Sequence, residues 1–248
     1  MDKSSYTSNY KVRIADSDGN GFLKLPSLLQ MLQEIATEHA EVLGVDFKTI
    51  SNDGLGWALS KIYLQINELP KWGTRVYIQT WPSDKEKIST FREFIARNEA
   101  GDILFEARSQ WLLFDLNTRR IARMDRLADF PRLTDKYACS HNKEEILERP
   151  HSPQTPYTTE NSHSAGQCDI DLNGHVNNTV YMAWAIDTIP SEFYATKTPK
   201  WVKISFLEEI MPREKVHSVC KISDDITAHS IIKAESNREC ARINIGWQ

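Results

Sequence analysis

A short motif occurs twice in this chain, and the repetition limits its possible folds more than any other feature. Asp16-Ser17-Asp18-Gly19-Asn20-Gly21-Phe22 aligns without a gap with Asp169-Ile170-Asp171-Leu172-Asn173-Gly174-His175, at an offset of 153 (169 minus 16). The two share D-x-D-x-N-G, and self-similarity at long spacing marks a duplicated structural unit. Each copy leads into a helical segment. After the first, Leu28, Leu32, Ile35, Ala36 and Leu43 recur on one face, with Pro26 in the first turn and Gly44 just past the end. After the second, Asn177 or Asn178 can cap a segment from Thr179 to Ile189, which Pro190 stops. Val180, Tyr181, Met182, Ala183, Trp184, Ala185 and Ile186 make that second helix apolar nearly all round, which places it inside the protein.

The match resumes beyond the helices. Lys61-Ile62 and Pro70 align with Lys203-Ile204 and Pro212 at an offset of 142 (203 minus 61), a register that pairs Asn67 with Glu209 and in which Lys61 and Lys203 are each expected to begin a strand. The later segments read as strands: Val76–Trp81, Thr90–Arg97, Ile103–Phe114 and Arg119–Met124 in copy one, then Val216–Ile222, Thr227–Glu235 and Cys240–Trp247 in copy two. Glu99-Ala100-Gly101-Asp102 and Asp115-Leu116-Asn117-Thr118 read as hairpin turns. The expected fold class is therefore α+β, each copy a helix covering an antiparallel meander. Residues 1–130 form the first unit, 131–160 a linker rich in proline and charge, and 161–248 the second unit, with a short helix expected at Lys143–Leu147.

Composition removes several function classes. At 248 residues, 40% hydrophobic and 26% charged, the chain can bury a core without disulfides or a structural metal. Cys139, Cys168, Cys220 and Cys240 lack CxxC spacing and read as reduced thiols, with Cys168 expected to be small and buried. Met1 to Tyr10 is polar, and no run reaches the roughly 18 apolar residues of a membrane span, so the expected location is cytoplasmic. A net charge of -4 gives no global basic field for nucleic acid. Phosphate-loop, GxSxG and HExxH patterns are all missing, so phosphoryl transfer, serine hydrolysis and zincin chemistry lack their signals.

Chemistry concentrates where the copies differ. Copy two has His175 where copy one has Phe22, and Glu209 where the alignment gives Asn67. Only copy two gathers Asp171, Asn173, His175 and Glu209. A histidine just before a buried helix N-terminus faces backbone N–H donors that could hold an oxyanion, and the helix dipole would favour its neutral form. The bland reading makes His175 a capping residue, and Asp171 and Asn173 turn formers like Asp18 and Asn20. Four polar groups buried to no purpose before an apolar helix would, however, cost several kcal/mol. Glu209 lies beside Glu208, and one of the two can be a solvated strand residue.

Asp171-Leu172-Asn173-Gly174-His175-Val176-Asn177-Asn178, followed by Tyr181 and Trp184, resembles the D-x-N-x-H-V-N-N-x-x-Y-x-x-W signature of acyl-ACP thioesterases. The likeness extends through copy one, at Leu32-Gln33-Glu34-Ile35-Ala36, Trp57-Ala58-Leu59, Pro70-Lys71-Trp72-Gly73, Thr80-Trp81 and Ala107-Arg108-Ser109-Gln110-Trp111. The resemblance implies two tandem hot dog units, each a long helix wrapped by an antiparallel sheet, with the acyl pocket in the non-catalytic first copy. It implies hydrolysis of a fatty acyl thioester on acyl carrier protein to free fatty acid and holo-ACP. Asp171, Asn173, His175 and Glu209 match the catalytic positions, with Asn177, Asn178, Tyr181 and Trp184 as substrate contacts, and no metal or organic cofactor is implied. Plant relatives carry a cysteine after the glutamate; Ile210 stands here, so a covalent cysteine at that position is excluded and attack by water is favoured. The carrier is acidic, and the basic cluster Arg119, Arg120, Arg123 and Arg126 is the expected docking surface, Arg120 and Arg123 foremost, with the phosphopantetheine arm entering toward His175. Acyl-CoA hydrolysis, a dehydratase on the same fold and a non-catalytic acyl-binding role are the rival readings. The two-repeat chain is compatible with a monomer or a homodimer.

Overall fold

Alternating side chains at Tyr6–Lys11 form a first strand, β1, that turns one face inward at every second residue. The structure, a computed structural model, describes residues 3–127, 130, 136–139 and 148–248. It divides into two units, 1–146 and 147–248. In the first, β1 is followed by α1 (Leu25–Leu43), α2 (Phe47–Ser51), β2 (Leu55–Ile66), β3 (Arg75–Lys85), β4 (Ser89–Arg97), β5 (Ile103–Asp115) and the two-residue β6 (Arg120–Ile121). The strands pair antiparallel in the order β1-β3-β4-β5-β2, with β6 on the end of β5. The second unit runs β7 (Thr159–Ser164), α3 (Asn178–Ile186), α4 (Ser191–Thr196), β8 (Pro199–Phe206), β9 (Lys215–Ser223), β10 (Ile226–Lys233) and β11 (Glu239–Trp247). Its order, β7-β9-β10-β11-β8, is the same arrangement element for element.

The long helix behaves as its sequence requires. Pro26 sits in the first turn, where a missing N–H costs nothing, and Gly44 ends α1 in the left-handed conformation at φ 71°. Leu28, Leu32, Ile35 and Ala36 are buried, and α1 packs on β1 and β3. The hairpin turn at Gly101 (φ 93°) and the turn in which Asp115 Oδ1 accepts from the Asn117 and Thr118 amides both lie where expected.

The duplication extends further than the motif, and its register differs from the expected one. Strands β1 and β7, and helices α1 and α3, begin 153 residues apart (159 minus 6, 178 minus 25). Past the helices the offset is 140, not 142. Gly73 (φ 86°) and Arg213 (φ 69°) occupy one turn position, and their amides donate to Val12 and Ala165. Likewise, Asn67 and Glu68 donate to Leu104 as Leu207 and Glu208 donate to Cys240. The counterpart of Glu209 is therefore Leu69, and Asn67 corresponds to Leu207. A slip of two residues keeps every strand side chain on its original face, so alternation cannot detect it.

Other boundaries also move. β2 begins at Leu55 rather than at Lys61, and the strand expected over Arg119–Met124 shrinks to β6 because Arg119 turns at φ 53° and a 3-10 turn starts at Met124. Helix α3 ends at Ile186; the Thr188 and Ile189 amides fold back to Ala185 and Ile186, and Pro190 opens α4. The expected linker is partly structure. The Trp81 indole donates to the Lys136 carbonyl and the Ala138 amide to Glu93, which fixes residues 136–139 to the first unit beside a buried Arg108–Asp84 ion pair (2.5 Å). His151 is bonded through its backbone to Asn244, and β7 begins at Thr159. The helix expected at Lys143–Leu147 lies outside the described residues.

Among the described residues, each unit buries one histidine completely. His39 lies against Arg92 (2.9 Å) and the Lys3 carbonyl, and burial together with the Arg92 charge lowers its pKa to about 4. His229 meets Thr188 Oγ1, and burial lowers its pKa to about 3. Both pKa values fall on folding, so between about pH 6.5 and 4 the unfolded chain binds more protons and stability drops with pH. Urea midpoints should fall steadily from pH 7 to pH 5, above the range where carboxylates titrate; a flat profile there would contradict neutral burial of these rings.

Candidate active site

The second D-x-D-x-N-G motif folds as a tight loop in which local hydrogen bonds do most of the shaping. Asp171 Oδ1 accepts from the Asn173 amide (2.8 Å), Gly174 turns at φ 82°, and the Asp171 amide donates to the His175 carbonyl (2.9 Å). The Asn177 amide then closes the loop on the Asp169 carbonyl (2.8 Å), and the Val176 amide donates to the Ile210 carbonyl (2.9 Å). Copy one repeats all of these main-chain bonds: Asp18 to Phe22, Lys24 to Asp16, and Leu23 to Pro70.

The bond to Ile210 sets the loop before α3 beside the turn after β8, and the side chains peculiar to copy two meet there. His175 Nε2 lies 3.1 Å from Glu209 Oε2, with the two side chains 28% and 38% exposed. Both are thus reachable from solvent while partly held. Glu208 faces elsewhere: Lys233 (2.9 Å) and Arg238 (2.8 Å) neutralise it, and Glu214 (2.9 Å) shares the lysine. At an offset of 140, Glu208 is the counterpart of Glu68. The glutamate common to both copies is the one in this ion cluster, and the one unique to copy two faces the histidine.

The four expected polar residues resolve into two pairs. Asp171 holds Asn173, through the amide above and through Asn173 Nδ2 (3.4 Å), and His175 holds Glu209. Asn177 is the helix cap, its Oδ1 accepting from the Thr179 amide (2.9 Å) and hydroxyl (2.8 Å), and Asn178 opens the first turn. Tyr181 and Trp184, expected as substrate contacts, are core residues at 2% and 6% exposure. Trp184 stacks on His163 (5.3 Å), whose pKa burial lowers, and its carbonyl accepts from Ser218. Tyr181 bonds to the backbone on both sides of Glu209 (Glu208 carbonyl 3.3 Å, Ile210 amide 3.1 Å). No local sequence signal marks Lys233, Arg238 or His163, because each acts across strands that are distant in the chain.

With this geometry in view, known proteins give a consistent answer. Residues 3–128 match the family model of the acyl-ACP thioesterase N-terminal domain, and residues 154–248 that of the C-terminal domain. The chain belongs to the acyl-ACP thioesterase family. Oleoyl-acyl carrier protein thioesterase 1, a chloroplastic protein of Arabidopsis thaliana, is 24% identical over 253 residues, covering 90% of this chain and 65% of its own length. A second Arabidopsis thioesterase of that name is 24% identical, and the alignment covers 87% of this chain and 62% of that protein, so the chain spans less than two thirds of either relative. An acyl-ACP thioesterase structure from Bacteroides thetaiotaomicron is 25% identical, with a TM-score of 0.89 and full coverage of both chains. The 12:0-ACP thioesterase of Umbellularia californica shares the fold at 20% identity and a TM-score of 0.90, covering 100% of this chain and 98% of that one. The architecture is that of tandem hot dog units. No helix among the described residues is long and apolar enough to cross a membrane.

Cysteine placement departs from expectation in one respect. Cys139, Cys220 and Cys240 are buried, but Cys168, expected to be buried, is exposed in the 3-10 turn before the motif. Burial pushes the Cys220 thiol up to about 11 and the Cys240 thiol up to about 12. A thiol reagent should therefore titrate Cys168 quickly in the native protein and Cys220 and Cys240 only after denaturation. Rapid modification of all the thiols in the folded chain would contradict this packing.

Proposed function

We propose that the second unit hydrolyses the thioester of a fatty acyl group carried by acyl carrier protein, giving free fatty acid and the holo-carrier. The observation that supports this most directly is the His175–Glu209 contact at 3.1 Å, next to the Glu208 carboxylate that Lys233 and Arg238 engage. A solvent-reachable carboxylate against an imidazole can take a proton from water and hand one to a leaving group. In this reading water attacks the thioester carbonyl carbon while Glu209 accepts its proton. As the tetrahedral intermediate collapses, the C–S bond breaks and His175 protonates the departing sulfur, its own proton being replaced across the contact by the one that Glu209 took from water. Asn173, held by Asp171, positions the water or the carbonyl, and a backbone N–H where α3 begins stabilises the oxyanion. The residue after Glu209 is the fully buried Ile210, so a covalent cysteine at that position is excluded and direct attack by water is favoured. Four cysteines without a disulfide suit a reducing compartment, and we place the reaction in the cytoplasm.

The test is turnover on a panel of acyl-ACPs and acyl-CoAs, followed by thiol release. His175→Ala and Glu209→Gln should each lower kcat by roughly a hundredfold or more, whereas Glu208→Gln should change it only a few-fold. Full activity in Glu209→Gln would remove the water-activating role, and comparable rates on acyl-CoA would favour a coenzyme A carrier instead.

For the carrier, the arginine cluster supplies the docking charge in this reading. Arg120 is exposed on β6, and Arg123 is exposed with Asp125 as its partner (2.6 Å), while Arg126 pairs with Asp115. Charge reversal at Arg120 and Arg123 together (both to Glu) should raise KM for acyl-ACP and flatten its salt dependence while sparing acyl-CoA hydrolysis. Unchanged kinetics on acyl-ACP would take this cluster off the docking surface.

A further inference from the structure

One buried hydroxyl holds both peptide groups that flank Glu209. Tyr181 Oη donates to the Glu208 carbonyl, which belongs to the peptide entering Glu209, at 3.3 Å. The same oxygen accepts from the Ile210 amide, which belongs to the peptide leaving it, at 3.1 Å. The backbone of a single residue between two pinned peptides has little freedom left, since only its own φ and ψ separate them. The ring itself is immobilised: it is 2% exposed, edge-on to Phe206 (5.7 Å) and tilted against Trp184 (6.0 Å). Burial raises the phenol pKa far above neutrality, so the hydroxyl keeps the proton that lets it donate and accept at once.

The internal duplication supplies an independent comparison. At an offset of 153 the counterpart of Tyr181 is Leu28, a fully buried residue without a hydroxyl. Copy one nevertheless builds the same turn, with Leu23 bonded to Pro70, and with Asn67 and Glu68 bonded to Leu104. The hydroxyl is therefore not needed to form the turn. It is present only in the copy that has Glu209 in place of Leu69 and His175 in place of Phe22. Three differences fall together on one constellation.

We infer that Tyr181 is a positioning residue, whose hydroxyl clamps the Glu208–Ile210 backbone and thereby aims the Glu209 carboxylate at His175. The inference rests on the hydrolytic reading of that pair. A carboxylate on an unclamped loop would spend most of its time out of reach of the imidazole. Misplacement of a reacting group by about 1 Å can cost on the order of a hundredfold in rate.

Tyr181→Phe, which keeps the ring, is the variant to examine, with kinetics on the acyl-ACP substrate and hydrogen exchange as separate readouts. The expected result is a kcat lowered by roughly 10- to 100-fold with KM within about twofold, and exchange of the Ile210 amide faster by about tenfold. Because the effect is transmitted through Glu209, adding Tyr181→Phe to Glu209→Gln should cost almost nothing more. Unchanged Ile210 exchange would show that the hydroxyl holds nothing, and multiplicative losses in the double variant would show that it does not act through Glu209; either overturns the inference. A fully active Glu209→Gln enzyme would instead sink the hydrolytic reading, and with it the positioning role, while the exchange experiment still reports on the clamp itself.

Discussion

The Val176 amide and the Ile210 carbonyl, 2.9 Å apart, make the contact on which the site depends. It fastens the loop before α3 to the turn after β8, so that residues 175 and 209, one step away on each chain, project side by side. A main-chain bond serves this purpose better than a side-chain contact, because it fixes direction as well as distance. Sequence changes on either loop can then alter the chemistry displayed without disturbing the frame. Copy one shows as much, since its equivalent bond from Leu23 to Pro70 presents Phe22 beside Leu69 and makes no acid–base pair.

Two supports act on this frame from beneath. The largely apolar α3 lies in a core with Val176, Ile210, Val216, Ile231 and Cys240, so the loop ahead of it cannot drift without exposing buried surface. Around Glu208, Lys233, Arg238 and Glu214 form a partly exposed ion cluster. Exposed pairs of this kind contribute little stability singly. Their importance here is the division they impose: Lys233 and Arg238 engage Glu208, while Glu209 meets the histidine.

Much of this was legible in the chain alone. The D-x-D-x-N-G loops are coded locally, by aspartates that accept backbone amides two residues on and by glycines that turn at positive φ, so the repeat, its helix starts and the Pro26 and Gly44 signals could be read directly. Periodicity likewise gave the long helix and the strands of each meander. Strand pairing is different, because it joins residues far apart and loop lengths can absorb a shift. Matching Lys61 to Lys203 and Pro70 to Pro212 put the register two residues off, and period-two alternation had no means of objecting. That slip assigned Asn67 rather than Leu69 as the partner of Glu209.

The sequence by itself determined that the chain is a duplicated α+β protein, that one copy alone carries a histidine with acidic and amide neighbours, and which family's signature those residues form. Tertiary structure alone decided which glutamate faces His175, because Lys233 and Arg238 reach Glu208 from β10 and the turn beyond it, more than twenty residues downstream. It also decided that Tyr181 and Trp184 are buried, that Asn177 is the residue that caps α3, and that Cys168 is exposed. The physical reason is common to all of these. An aromatic three or six residues into an apolar helix has the same local pattern whether it faces a ligand or a sheet, and only the packed neighbours distinguish the two.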